Sequence, residues 1–189
     1  MKSYIVIGLG RFGSQAAKRL CELDCEVLAM DRNPELVQPV SNLVTQAVVG
    51  DARDKEVLRA LGVRDFDCAI VAIGSNLAAS VLTGMNLKEL AVPYVICKAH
   101  DETHRRVLEK LGVEKRVFCL NKVKAKLFGT GWMPSLSQIV QMVRMDLIGM
   151  IPYDDNFQVA SNLGMPIVCK EDTYIYKNFS EIMKRVKEL

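Results

Sequence analysis

The run Gly8-Leu9-Gly10-Arg11-Phe12-Gly13 has the spacing Gly-x-Gly-x-x-Gly and stands between an apolar run and a helical pattern. In that setting the spacing suits a diphosphate. Gly8 permits a tight turn, Gly10 lets the backbone approach a pyrophosphate, and Gly13 lets the helix lie close on the preceding strand. A helix opening there offers N–H groups and partial positive charge to phosphate oxygens. Asp31 ends the second apolar run. A carboxylate at that place accepts hydrogen bonds from ribose hydroxyls and repels a 2′-phosphate, which favours NAD or an adenine nucleotide over NADP, with the adjacent Arg32 weakening that preference. Asp51, after the third run, belongs either beside an adenine or in a turn or helix cap, and both readings stay open. The alternative for the glycines is a plain strand-to-helix turn; their combination with Asp31 in register favours binding.

The elements that must carry these residues alternate. Strands are expected at Ser3–Ile7, Glu26–Met30, Gln46–Val49, Asp67–Ile73, Tyr94–Lys98 and Lys115–Leu120. Helices are expected at 11–23, at 34–43 with Pro34 in the first turn, at 55–61 behind an Asp54 cap, at 75–90 and at 101–111. Beyond Cys119 the pattern predicts a basic, glycine-bearing loop over 121–132, a helix over 134–144, a strand at 147–151 stopped by Pro152, a helical turn over 156–162 and a terminal helix over 174–189. Strands alternating with helices argue for a doubly wound, Rossmann-type parallel sheet, three-layer αβα, of about seven strands in one domain. Residues 1–118 form its nucleotide-binding part and 119–189 a βα extension of the same sheet.

Half of the 189 residues are apolar and a quarter are charged, and the net charge is +3, an ordinary globular balance with no basic tail for nucleic acid. The apolar runs are too short to span a bilayer, and no signal peptide is visible. Six cysteines, at 21, 25, 68, 97, 119 and 169, form no Cys-x-x-Cys pair; they read as free thiols of a reducing cytoplasm. His100 and His104 are spaced for one helix face, but no third metal ligand accompanies them. Ser75 and Ser80 lack a nucleophile-elbow pattern. The methionines at 133, 142, 145 and 150 read as core or junction fill.

The stretches Val-Ile-Gly-Leu-Gly-Arg-Phe-Gly, Val-Leu-Ala-Met-Asp, Val-Val-Gly-Asp-Ala, Phe-Asp-Cys-Ala-Ile-Val-Ala-Ile-Gly and Val-Ile-Cys-Lys-Ala resemble the regulator-of-potassium-conductance (RCK/KTN) domain. This is the TrkA/KtrA-type nucleotide-binding subunit of potassium channels and transporters. The resemblance runs from Met1 to about Phe118. It implies a Rossmann fold that binds NAD(H), ATP or ADP without catalysis. It implies that Arg11 reaches the phosphates, that Asp31 and Arg32 hold the ribose and adenine side, that Asp51 and Ala52 line the base, and that Lys98 comes near the phosphates. Phe12, Ile73 and Gly74 complete the candidate site. In that family the domains dimerise and gate a membrane pore. The family's Pro-Glu pair after the sixth strand is replaced here by Leu120-Asn121.

From Leu120 the chain resembles a different family. Leu-Asn-Lys-Val, Pro-Ser-Leu-Ser-Gln-Ile-Val, Asp-Leu-Ile-Gly-Met-Ile-Pro-Tyr-Asp-Asp and Ala-Ser-Asn-Leu-Gly-Met-Pro-Ile-Val are similar to the C-terminal part of a MinD/ParA-type P-loop ATPase. That resemblance places Asn121, Pro152 and Tyr153 at base-binding positions. The sequence holds no Gly-x-x-x-x-Gly-Lys-Ser/Thr, so the β- and γ-phosphates have no cradle and these positions read as vestigial. Two resemblances meeting at one strand suggest an engineered or recombinant chimera: a non-catalytic domain binding an adenine nucleotide or NAD, with no physiological activity of its own. Two alternatives stand beside it. One is a potassium-uptake regulatory subunit that senses NAD(H), ATP or ADP, forms a homodimer and gates a membrane partner. The other is an NAD-dependent oxidoreductase, for which no acid–base group can be placed.

Overall fold

The structure is a computed structural model that describes residues 1–74, 76–112, 117–124, 126, 128, 134–143, 146–156, 159 and 173–188, with the backbone alone at 118 and 122. The chain divides into two compact units, Met1–Glu114 and Lys115–Leu189.

The first unit is built on five parallel strands: β1 (Ser3–Ile7), β2 (Glu26–Asp31), β3 (Gln46–Val49), β4 (Cys68–Val71) and β5 (Tyr94–Cys97), in the order β3-β2-β1-β4-β5. Register places Ile7 beside Met30 and Val71, so β1 ends level with both neighbours. Every residue of β4 and four of the five in β1 are buried, as a parallel sheet covered on both faces requires. The helices are α1 (Arg11–Glu22), α2 (Pro34–Val37), α3 (Lys55–Ala60), α4 (Leu77–Glu89) and α5 (Glu102–Lys110). Ile5, Ile7, Met30, Leu58, Val71 and Leu87 share one apolar cluster. Strand alternation sends Tyr4, Val6, Val27 and Ala29 to the opposite face, where α1 buries Ala16, Ala17 and Leu20.

Side-chain caps set several helix starts. Asn33 accepts from the Glu35 N–H, Asp54 from Glu56, Asn76 from Ala79 and Asp101 from His104. Gly62 and Gly112 follow α3 and α5 with φ of +64° and +78°, the left-handed conformation that ends helices. The helix expected over 34–43 is shorter: α2 stops at Val37 and a 3₁₀ turn covers Gln38–Val40. Pro39 explains the break, because proline has no N–H to donate to the Glu35 carbonyl four residues back.

The second unit contains β6 (Val117–Val123), α6 (Leu136–Val143), β7 (Asp146–Pro152) and α7 (Tyr174–Glu188). β6 and β7 are parallel, with Leu120 opposite Met150 and Asn121 opposite Ile151. Helix α7 packs on β7: the Arg185 guanidinium donates to the Ile148 carbonyl at 2.9 Å, and Ile175, Phe179, Ile182 and Met183 are buried. Among the described residues the strands form a five-stranded and a two-stranded parallel sheet, where one sheet of about seven strands was expected. Periodicity marks a strand and its crossover helix, but not which edge the strand joins. β6 also runs on to Val123, past the expected start of a loop, because β7 is long enough to pair with it as far as Pro152. Of the turn expected over 156–162 only Asn156 and Val159 are described, both helical; the loop around Trp132 lies outside the described residues.

Candidate functional site

The site is assembled where β1, β2 and β4 end. Gly8 leaves β1 with φ +92°, and its N–H donates to the Met30 carbonyl at 2.8 Å. This turn directs the chain into α1, whose first helical hydrogen bond runs from Ser14 N–H to Gly10 carbonyl at 3.0 Å. A helix start of this kind offers backbone N–H groups to acceptors outside the helix. The three glycines differ in what surrounds them. A Cβ on Gly13 would lie 1.8 Å from the Gly8 carbonyl oxygen, so only glycine fits the close approach of helix to strand. A Cβ on Gly8 would meet Ala72 and Ile73 at 3.2 Å. A Cβ on Gly10 would meet nothing within 4 Å. That open side, bordered by the helix start, is a cradle that suits a diphosphate.

Asp31 closes β2 and turns its carboxylate to the loop. Oδ2 accepts the Leu9 N–H at 2.7 Å and Oδ1 accepts the Asn33 N–H at 2.9 Å. Two backbone donors thereby fix the carboxylate at the mouth of the glycine turn, with lone pairs left for hydroxyl donors. The Asp31 carbonyl in turn accepts the Gly50 N–H at 3.0 Å, tying the segment after β3 to the end of β2.

That segment carries Asp51 and Ala52. Ala52 is buried. The Asp51 carboxylate accepts the Arg53 N–H at 3.0 Å and is gripped by the Arg53 guanidinium, Nε at 2.9 Å and Nη2 at 2.5 Å. These bonds, and more weakly the charge of Arg32, hold its pKa down to about 2. Of the two readings open for Asp51, the turn is visible directly; the cap of α3 is Asp54.

Lys98 follows β5, its N–H bonded to the Val71 carbonyl at 2.9 Å. Its ammonium lies 5.6 Å from the centre of the Phe12 ring and 3.4 Å from where a Cβ on Gly74 would be. Phe12, Gly74 and Lys98 are thus together beside the loop, next to Ile73. Arg11 and Arg32 are exposed. Arg53 and Asn86 also belong to this neighbourhood and were not anticipated. The buried Asn86 amide, on α4, donates to the Arg53 carbonyl at 2.9 Å and the Ala52 carbonyl at 3.4 Å. A signal for it exists: Ser80, Thr83 and Asn86 recur at intervals of three, which sets three polar residues on one, buried, helix face.

In the second unit, Asn121 lies on β6, Pro152 ends β7, and the Tyr153 N–H donates to the Val123 carbonyl at 2.8 Å. The Lys124 ammonium stands 4.6 Å from the Tyr153 ring centre. These residues share one end of the strand pair. Among the described residues no group of three or more His, Cys, Asp or Glu could hold a metal ion, and no helix is long and apolar enough to cross a membrane.

The family model of the TrkA-N domain matches residues 4–119. The chain belongs to the TrkA-N domain family. Over 113 residues it is 46% identical to Ktr system potassium uptake protein C of Bacillus subtilis, covering 60% of this chain and 51% of that protein. Protein A of the same system and organism is 45% identical over 114 residues, with the same coverage. The chain spans about half the length of these curated relatives. Among solved structures, the GsuK channel bound to NAD is 14% identical, with a TM-score of 0.52 over 59% of this chain and 20% of that one. The MinC:MinD cell division protein complex of Aquifex aeolicus is 14% identical, with a TM-score of 0.58 over 100% of this chain and 96% of that one. At such identities the likeness concerns the fold. The TrkA-N domain thus has the Rossmann-like α/β architecture expected from its glycine loop, whereas the MinC:MinD likeness spans the whole chain and is only a weak hint for the MinD/ParA resemblance of the tail.

Proposed function

We propose that the TrkA-N domain binds an adenine nucleotide, NAD(H), ADP or ATP, as a regulatory ligand rather than a reactant, and that the chain acts in potassium uptake by passing the bound state to a membrane partner. The carrying observation is the Asp31 carboxylate, held by the Leu9 N–H next to Gly10, whose Cβ side is open. In this reading the diphosphate lies on the glycine turn and the start of α1, with Arg11 and Lys98 supplying positive charge. Asp31 and Arg32 take the ribose, Asp51 and Ala52 border the base, and Phe12, Ile73 and Gly74 shape the walls. The nucleotide-binding part is residues 1–118 and the extension is 119–189.

The names of the relatives support the potassium role over an origin as a composite chain without physiological activity: both are potassium uptake proteins. A homodimer is part of the proposal. Calorimetric titration with NAD, NADH, ADP and ATP tests the ligand. A nucleotide at about 100 times its Kd raises stability by about 2.7 kcal/mol, and Asp31→Ala is expected to remove most of that gain. The absence of heat with all four nucleotides refutes the reading.

A further inference from the structure

We infer that Asn86 is a positioning residue for the base side of the nucleotide site, acting through the segment Gly50–Arg53; this rests on the reading above, in which Asp51 and Ala52 border the base. The segment leaves β3 and must turn into α3 while presenting Asp51 outward. It is held at its start by the Gly50 N–H on the Asp31 carbonyl and internally by the Asp54 N–H on the Asp51 carbonyl, each at 3.0 Å. Its other carbonyls, on Ala52 and Arg53, point to α4, where the Asn86 amide donates to both.

Asn86 is 7% exposed, and the two N–H bonds of its amide group let one side chain serve both carbonyls, of which the Ala52 one is buried. A leucine, with the same branching but no donor, would take this partner from both carbonyls, the Ala52 one buried, which the segment relieves by shifting outward. The Asp51–Arg53 pair rides on that segment. Losing Asn86 therefore changes where the carboxylate and guanidinium stand, although Asn86 itself touches neither charged group. Binding then draws on the fraction of molecules whose segment is correctly placed, and the apparent Kd rises as that fraction falls.

The test uses the full chain and ADP as the probe, with Asn86→Leu and the smaller, still polar Asn86→Ser. Calorimetry is expected to show the ADP Kd raised about tenfold in Asn86→Leu, corresponding to a segment correctly placed about a tenth of the time. Hydrogen exchange of the nucleotide-free protein supplies a reading that a general loss of stability does not imitate. The Asp54 amide is expected to exchange about tenfold faster in either variant, while amides in β1 and β4 keep their protection. Unchanged ADP affinity in a folded variant overturns the inference, and so does a loss of affinity that follows a uniform loss of protection. If Asn86→Leu does not fold, Asn86→Ser decides by the same two measurements. Wild type that binds none of ADP, ATP, NAD and NADH removes the parent reading, an outcome distinct from wild type that binds while the variants bind equally well.

Discussion

Substituting alanine at Gly10 and at Gly13 separates binding from folding within one loop. At Gly13 the new methyl would start 1.8 Å from the Gly8 carbonyl oxygen and 2.9 Å from its carbon, with the Ala72 methyl at 3.1 Å on another side. Real Cβ contacts below 3.0 Å are essentially never found, so the turn must retreat by at least 3.0 − 1.8 = 1.2 Å. The obstacle is backbone, which cannot swing away as a side-chain tip would. Overpacking of this kind costs about 1–3 kcal/mol. For a unit of this size that lowers the melting temperature by roughly 4 °C per kcal/mol, and nucleotide binding is lost with the turn. At Gly10 the same methyl meets nothing within 4 Å, and φ of −65° suits any residue. Gly10→Ala is therefore expected to melt within about 2 °C of wild type, since surface substitutions stay within about 0.5 kcal/mol. The methyl nevertheless enters the space assigned to the diphosphate, so the ADP Kd should rise at least about tenfold, or 1.4 kcal/mol. Calorimetric melting and ADP titration of both variants decide the matter. Gly10→Ala that binds ADP as well as wild type refutes the diphosphate placement, and Gly13→Ala that melts with wild type refutes the packing argument.

Three further outcomes follow from other parts of the molecule. His104 is buried, takes the His100 N–H on Nδ1 at 3.2 Å and so donates from Nε2 to Ser80 Oγ at 3.1 Å; burial lowers its pKa against the opposing pull of Asp101. Its folded pKa lies below the unfolded one, so its contribution is complete above the ordinary histidine pKa and falls as the pH drops through that value toward the folded one. Urea unfolding at pH 7.5 and 5.5 should show a smaller difference in His104→Gln than in wild type. Gly149→Ala puts a methyl 2.3 Å from Ile182 Cγ1 and should destabilise the second unit by about 1–3 kcal/mol, read as faster amide exchange in α7 with ADP affinity unchanged. Arg53→Ala removes the chief cause of the low Asp51 pKa but keeps the backbone N–H of residue 53 and the charge of Arg32, so carboxyl titration by NMR should find that group raised part of the way toward the ordinary carboxylate value. Wild type then loses a stabilising contribution as the pH falls from about 4 toward 2, and the variant loses less of it.

The glycine loop was legible because its chemistry is local: a turn, a close approach and a helix start are each written in one residue. The five strands of the first unit were legible for a related reason, since runs such as Cys68–Val71 are apolar throughout only when both faces are covered. Asp31 could be placed because a strand ending level with β1 carries its last residue to the loop. Arg53 and Asn86 could not be placed in the same way. Their partners are in the segment after β3, and Asn86 arrives there from α4, more than thirty positions along the chain. The division into two sheets was hidden because a β-run announces a strand without naming the neighbour it pairs with. Pro39 is in plain view, and its missing N–H marks where α2 gives way to the 3₁₀ turn.

The double grip on Asp31 by the Leu9 and Asn33 amides has a kinetic consequence. The rotamer freedom of that carboxylate is surrendered when the domain folds, not when a ligand arrives. A carboxylate has about four acceptor positions and two are filled here, so ribose hydroxyls can join without displacing either amide. Capture at this corner is then a single encounter with no slow rearrangement after it, and the observed relaxation rate in a rapid-mixing experiment climbs in a straight line with nucleotide concentration.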